Sequence, residues 1–156
     1  MIVFSDVTKR FGQKTAVENL NLIVPPGELF AFLGPNGAGK TTTIRMLVGL
    51  LRPNAGEVTV CGFNTTAQCR EAARFIGYVP DQPYLYDKLS GREFLEFVGQ
   101  LRGISPSELG SRIDREIERF GMRDYVDDLT ETYSHGMRQR LVFASAVLHD
   151  PKVLIV

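Results

Sequence analysis

Apolar and polar positions alternate in short stretches at the start of the chain, and Ile2 to Thr8 and Leu20 to Val24 carry strand signals. The Pro25, Pro26, Gly27 turn leads into Leu29 to Leu33, an apolar run that predicts a further strand. A glycine-rich loop follows at once, and then a helical pattern over Thr41 to Leu51. Arg52 to Gly56 reads as a turn, Val58 to Cys61 as a short strand, and Ile76 to Val79 as another, bounded by Gly77 and Pro80. From Gln82 to Tyr133 the pattern changes to helix. Ser90 and Glu93 have capping-box spacing, and Phe94, Leu95, Val98 and Leu101 then fall on one helix face. Ser105, Pro106, Ser107 and Glu108 repeat the start signal, for a helix running to about Phe120 and stopping at Gly121. A last helix is predicted over Met137 to His149, ended by Asp150 and Pro151. The β-branched run Lys152 to Val156 then resembles a buried parallel strand.

Composition narrows what this alternation of strands and helices serves. The 156 residues fit one domain, and 18 basic residues balance 18 acidic ones, so the chain lacks the positive charge expected of a protein living on nucleic acid. Apolar runs such as Met46 to Leu51 and Val153 to Val156 fall far short of the roughly 20 residues that cross a bilayer. Met1 to Phe11 has neither a basic start nor an apolar h-region, so nothing in it marks the chain for secretion. Cys61 and Cys69 have no second pair for a zinc site and suit a reducing compartment.

The chemistry is concentrated in Gly34, Pro35, Asn36, Gly37, Ala38, Gly39, Lys40 and Thr41, which match G-x-x-x-x-G-K-[ST] between a predicted strand and a predicted helix. Glycines at such spacing let backbone N–H groups converge on phosphate oxygens, and a helix starting near Lys40 adds its positive end. Lys40 is placed to reach β- and γ-phosphates, Thr41 to ligate Mg²⁺, and Thr42 to touch the α-phosphate. Kinases, GTPases and ATPase motors share this loop, so other residues must choose among them.

Tyr133, Ser134, His135, Gly136 and Met137 open a helix well downstream of the loop and resemble the L-S-G-G-Q signature of ATP-binding cassette proteins. His135 and Met137 depart from its glycine and glutamine positions. Tyr78, Val79, Pro80, Asp81 and Gln82 look like the family's Q-loop, with Asp81 standing where glutamine is usual, so either Asp81 or Gln82 serves that role. Phe11, by itself either a packing residue or a stacking surface, lies where the family places an aromatic against adenine, and Leu148 to Val156 resembles the run into Walker B.

That resemblance implies an α/β fold. A P-loop NTPase core would carry an antiparallel β subdomain at the N-terminus and an inserted α-helical subdomain, with approximate divisions at 1–82, 83–133 and 134–156. It implies ATP and Mg²⁺ as cofactors, with Asp81 or Gln82 as a further approach to the metal. Ser134, His135, Gly136 and Met137 would contact an ATP held by a second subunit, in a head-to-tail dimer with two ATP molecules between the protomers. Integral membrane permease subunits would dock on the Q-loop and on Leu89 to Tyr133, which places the chain on the cytoplasmic face of a membrane with no nucleic-acid partner. The variant signature is similar to that of bacterial exporter-type cassettes. A soluble translation-type cassette acting on ribosomes is the alternative; a coiled-coil DNA-repair type is disfavoured by the absence of sustained heptads, and a GTPase by the absence of N-K-x-D.

In the family a Walker B Asp and a following Glu come directly after the apolar strand, and hydrolysis depends on them. No acidic residue follows Asp150 here. The expectation is therefore a cassette truncated before its catalytic centre, which binds nucleotide and does not turn it over.

Overall fold

A computed structural model describes residues 1–156, which divide into two compact units, 1–76 and 77–156. In the first unit, β1 (Ile2–Phe11) and β2 (Lys14–Val24) form an antiparallel hairpin around the Gly12–Gln13 turn. The far side of β1 pairs antiparallel with β3 (Ala55–Val60), which pairs in turn with the two-residue β4 (Phe63–Asn64), so the sheet runs β2-β1-β3-β4.

Strict alternation would turn Val7 away from the face that buries Phe4, yet both are buried. The pairing register slips between them, where Asp6 takes a φ of 51°. Asn21 pins this bulge from the neighbouring strand, accepting from the Asp6 N–H and donating to the Asp6 carboxylate, each at 2.9 Å. Phe4, Val7, Val58 and Val60 build the core of the unit with Met46 and Leu47 of α1 (Lys40–Leu47).

Two predicted elements of this unit differ in the structure. The helix from the glycine-rich loop ends at Leu47 rather than Leu51, because Gly49 turns the chain at φ 77° and its N–H donates to Met46 O. A Cβ at Gly49 would come within 2.8 Å of Thr65 O, and the buried Thr65 hydroxyl donates to Met46 O at 2.9 Å, which locks that turn. Leu29 to Leu33 forms no strand: no other segment pairs with it, and Leu29 and Leu33 are fully or almost fully exposed. An apolar run makes a buried strand only where neighbours complete its hydrogen-bond ladder, and none is supplied here. The short helix α2 (Cys69–Ala73), unforeseen in the sequence, completes the unit, with Ala72 buried.

The second unit joins β5 (Ile76–Tyr78) to β6 (Val153–Ile155), and the Val79 N–H extends the pairing to Ile155 O at 2.9 Å. β6 is less enclosed than predicted, since Leu154 is about half exposed. Between the strands lie α3 (Gly91–Leu101), α4 (Pro106–Arg119) and α5 (His135–Val147). The capping box forms as its spacing predicts: the Glu93 N–H donates to Ser90 Oγ, and the Ser90 N–H donates to the Glu93 carboxylate. The second start signal works differently. Ser105 makes no side-chain cap, and Glu108 pairs with Arg112 one turn on, while Pro106 still begins the helix.

Leu95, Ile113, Ile117, Met122, Leu141 and Leu148 form the core, and Gly99 lets α3 approach Leu109 of α4 without an intervening side chain. Asp150, at φ 53°, turns the chain into β6, and the Arg112 and Arg115 guanidinium groups of α4 hold its two carboxylate oxygens at 2.9 and 2.8 Å.

Candidate functional site

The glycine-rich loop and the hairpin meet in one cleft of about 290 Å³ within the first unit. Phe11, Lys14 and Ala16 line it from β1 and β2, and Asn36, Gly37, Gly39, Lys40, Thr41 and Thr42 from the loop and the start of α1. The helix begins at Lys40, as the motif predicts, with Gly39 as N-cap at φ 86°. Its first N–H groups have no intrahelical partner, so the cleft has a wall of backbone donors and the positive helix end.

Two glycines of the loop have different reasons to be glycine. Gly37, at φ 87°, lines the cleft and has open space around the position of a Cβ. At Gly39 a Cβ would stand closer than 3.0 Å to Ala16 O and 3.1 Å from Val17 Cγ2. Gly39 therefore lets the loop lie against β2, a packing role that the motif alone does not reveal.

Gly34, Pro35 and Ala38 shape the loop: the Ala38 N–H closes a turn onto Pro35 O at 3.2 Å, and Lys40 Nζ donates to Gly34 O at 2.5 Å and Pro35 O at 2.9 Å. The Lys40 ammonium thus folds over its own loop, where a phosphate would compete with two neutral carbonyls for it. Thr41 and Thr42 stand in the cleft, while the neighbouring Thr43 hydroxyl turns inward and donates to Gly39 O. Phe11 is 51% exposed, so the ring is presented rather than packed away. Lys9 holds it from outside the cleft lining, its ammonium 5.2 Å from the ring centroid and donating to Arg52 O at 2.7 Å.

The other predicted site residues belong to the second unit. Asp81 and Gln82 are exposed in the segment after β5. Ser134 is the N-cap of α5 and accepts from the Met137 N–H at 3.3 Å, which starts the helix at His135, two residues before the predicted Met137. Ser134, His135 and Gly136 are exposed, and the His135 and Gly136 N–H groups carry the open helix end.

Tyr133 anchors that helix start. Its hydroxyl donates to Tyr125 O at 2.8 Å, its ring meets Tyr125 edge-on, and burial pushes its pKa up to about 12. Arg138, one turn into α5, donates to Tyr133 O at 3.2 Å. No His, Cys, Asp or Glu side chains gather in a group of three that could hold a metal by themselves.

Sequence reasoning missed Lys14 and Ala16. The signal was the tight turn after Phe11, which pairs Phe11 with Lys14 across the hairpin and so brings Lys14 to the same cleft.

Comparisons with known proteins bear on the family of the chain. Residues 17–156 match the family model described as ABC transporter. The chain is 43% identical to the uncharacterized ABC transporter ATP-binding protein YhcH of Bacillus subtilis, over 99% of this chain and 50% of the relative. It is 39% identical to the ABC transporter ATP-binding protein NatA of the same organism, over 99% of this chain and 65% of that protein. The chain thus spans between half and two thirds of the length of these relatives. Among solved structures, the dimeric bacterial ABC transporter cassette MJ0796 superposes with a TM-score of 0.85 at 26% identity, covering 99% of this chain and 72% of that one. With its hairpin aromatic, glycine-rich loop and Ser-capped helix in this order, the chain belongs to the ABC transporter family of ATP-binding proteins.

Proposed function

We propose that this chain is the nucleotide-binding part of a membrane transporter, holding ATP in the cleft between the β1–β2 hairpin and the loop from Gly34 to Thr41. The observation that carries the reading is the joining of an exposed aromatic, Phe11, to a phosphate-type loop in one cleft without a carboxylate. Adenine would stack on Phe11, Lys40 would leave the Gly34 and Pro35 carbonyls for the β- and γ-phosphates, and the N–H groups at the start of α1 would meet the remaining oxygens.

The donor set suits Mg²⁺: the cleft offers the hydroxyls of Thr41 and Thr42 and the amide of Asn36, with neither Cys nor His. Thr41 would hold the ion. When bound, the ion would supply neutralisation of the phosphate charge.

Ser134, His135, Gly136 and Met137 would offer their helix end to the ATP of a second subunit, in the head-to-tail dimer that gives each site both halves. The dimeric form of the similar cassette supports this reading. Membrane permease subunits of the exporter type would then couple closure of the dimer to transport at the cytoplasmic face. No helix of this chain is long and apolar enough to cross a membrane, which suits a partner chain or domain for that task. Because no acidic residue follows Asp150, these 156 residues would bind nucleotide without turning it over.

Titration calorimetry with ATP and Mg²⁺ tests the site. Binding is expected, with at least a tenfold loss in Lys40→Ala and no phosphate release above background. Equal affinity in the two proteins would overturn the loop's role, and turnover at a rate typical of cassette ATPases would overturn the proposed deficiency. Co-purification with a polytopic membrane protein is the expected partner result, and co-sedimentation with ribosomes instead would favour the translation-type alternative.

A further inference from the structure

The cleft contains a second cation whose use the phosphate-loop motif does not specify. Lys14 is the first residue of β2, pairs with Phe11 across the hairpin, and lines the cleft together with Phe11, Asn36, Gly37, Lys40 and Thr41. Residues directly opposite in an antiparallel pair carry their side chains on the same face, so the Lys14 stem starts beside the Phe11 ring. The other cations near the cleft have partners within the chain: Lys40 donates to Gly34 O and Pro35 O, Lys9 to Arg52 O, and Arg10 stands 4.0 Å from Glu18. Lys14 makes no ion pair, and no Asp or Glu lines the cleft. An ammonium in a concave, donor-lined site without a counter-charge is arranged for an anionic ligand.

We infer that Lys14 is a further nucleotide-binding residue, which neutralises the phosphate chain at its base-proximal end while Lys40 serves the distal end. The assignment rests on the proposed nucleotide reading of the cleft. It follows from position: a ligand that stacks its base on Phe11 and carries its terminal phosphates to Lys40 passes its ribose and first phosphates beside Lys14. A lysine stem of four carbons lets the charge follow those oxygens without a fixed geometry. Lys14 should therefore act on ATP and ADP alike, because both carry the proximal phosphates, and its effect should be electrostatic and screened by salt.

The experiment is calorimetric titration of the 156-residue chain with ATP and with ADP, for wild type, Lys14→Met, Lys14→Arg and Lys40→Ala, at about 0.05 M and about 1 M KCl, where the Debye length falls to about 3 Å. Lys14→Met keeps the apolar stem and removes the charge. It should weaken ATP and ADP equally, by about two- to fivefold at low salt, the range of a solvent-exposed charge pair. The loss should vanish at high salt, and Lys14→Arg should restore affinity. No loss, a loss confined to ATP, or a loss unchanged at high salt overturns the assignment while leaving the phosphate loop intact, provided Lys40→Ala still loses at least tenfold. A wild-type chain that binds neither nucleotide overturns the reading of the whole cleft, and the role of Lys14 with it.

Discussion

Replacing Gly39 and Gly37 by alanine separates the two jobs of the phosphate loop. Both glycines sit at positive φ, 86° and 87°, so each alanine would incur the left-handed penalty of about 1–2 kcal/mol, partly offset by about 0.4–1 kcal/mol from the stiffer unfolded chain. These two contributions are nearly common to both variants and cancel in the difference. What remains is the contact. The new methyl at position 37 meets nothing within 4 Å, whereas at position 39 it presses on the Ala16 carbonyl and on Val17 Cγ2 of β2. Main chain cannot rotate aside as a side chain can, and forced overpacking of this kind costs about 1–3 kcal/mol. Gly39→Ala should therefore be less stable than Gly37→Ala by about that amount. With a urea m-value of about 2 kcal/mol/M, the midpoints should differ by about 0.5–1.5 M. Far-UV circular dichroism through a urea titration measures this, since the chain has no tryptophan to report by fluorescence. Both glycines line the cleft, so both alanines should weaken ATP binding, and Gly37→Ala should do so at the smaller cost in stability. Coincident midpoints for the two variants would refute the packing role assigned to Gly39.

Two further outcomes follow from the second unit. Ser90→Ala removes the hydroxyl half of the capping box of α3, leaving the backbone N–H at position 90 to donate to Glu93, and should cost about 1 kcal/mol, read as a lower urea midpoint; an unchanged midpoint would show that the hydroxyl cap is idle in solution. Tyr133 should ionise near pH 12 rather than 10, because burial disfavours its phenolate. The folded state then holds a proton that the unfolded state releases, so its stabilising contribution is intact below about pH 10 and is lost as pH rises toward about 12. Absorbance at about 295 nm during alkaline titration should show one delayed tyrosine in wild type, absent from Tyr133→Phe.

Much of this architecture is legible in the residues because local chemistry decides it. Ser90 and Glu93 cap the same helix in any context that leaves them free, Gly121 ends α4, and the run from Gly34 to Thr41 dictates a loop opening a helix. Where the outcome depends on distant partners, the sequence is silent or misleading. Leu29 to Leu33 has the composition of a strand, but a strand also needs a neighbour, which composition cannot guarantee. The phase shift between Phe4 and Val7 depends on Asn21 in the next strand, and the early end of α1 on Thr65 behind Gly49. The candidate site divides similarly: Lys40 and Thr41 follow from the motif, while Lys14 and the packing role of Gly39 emerge only once the hairpin is laid against the loop.

The unpaired segment from Leu29 to Leu33 also sets how the molecule behaves in a crowded solution. Leu, Phe, Ala, Phe and Leu in succession are uncharged and free of proline, and they offer both an adhesive apolar surface and a row of backbone donors and acceptors awaiting a partner. Such a stretch is a template for strand addition between molecules. The residues that lead into the phosphate loop are thus also the chain's foremost self-association hazard, and any β-strand docked beside them would quench it.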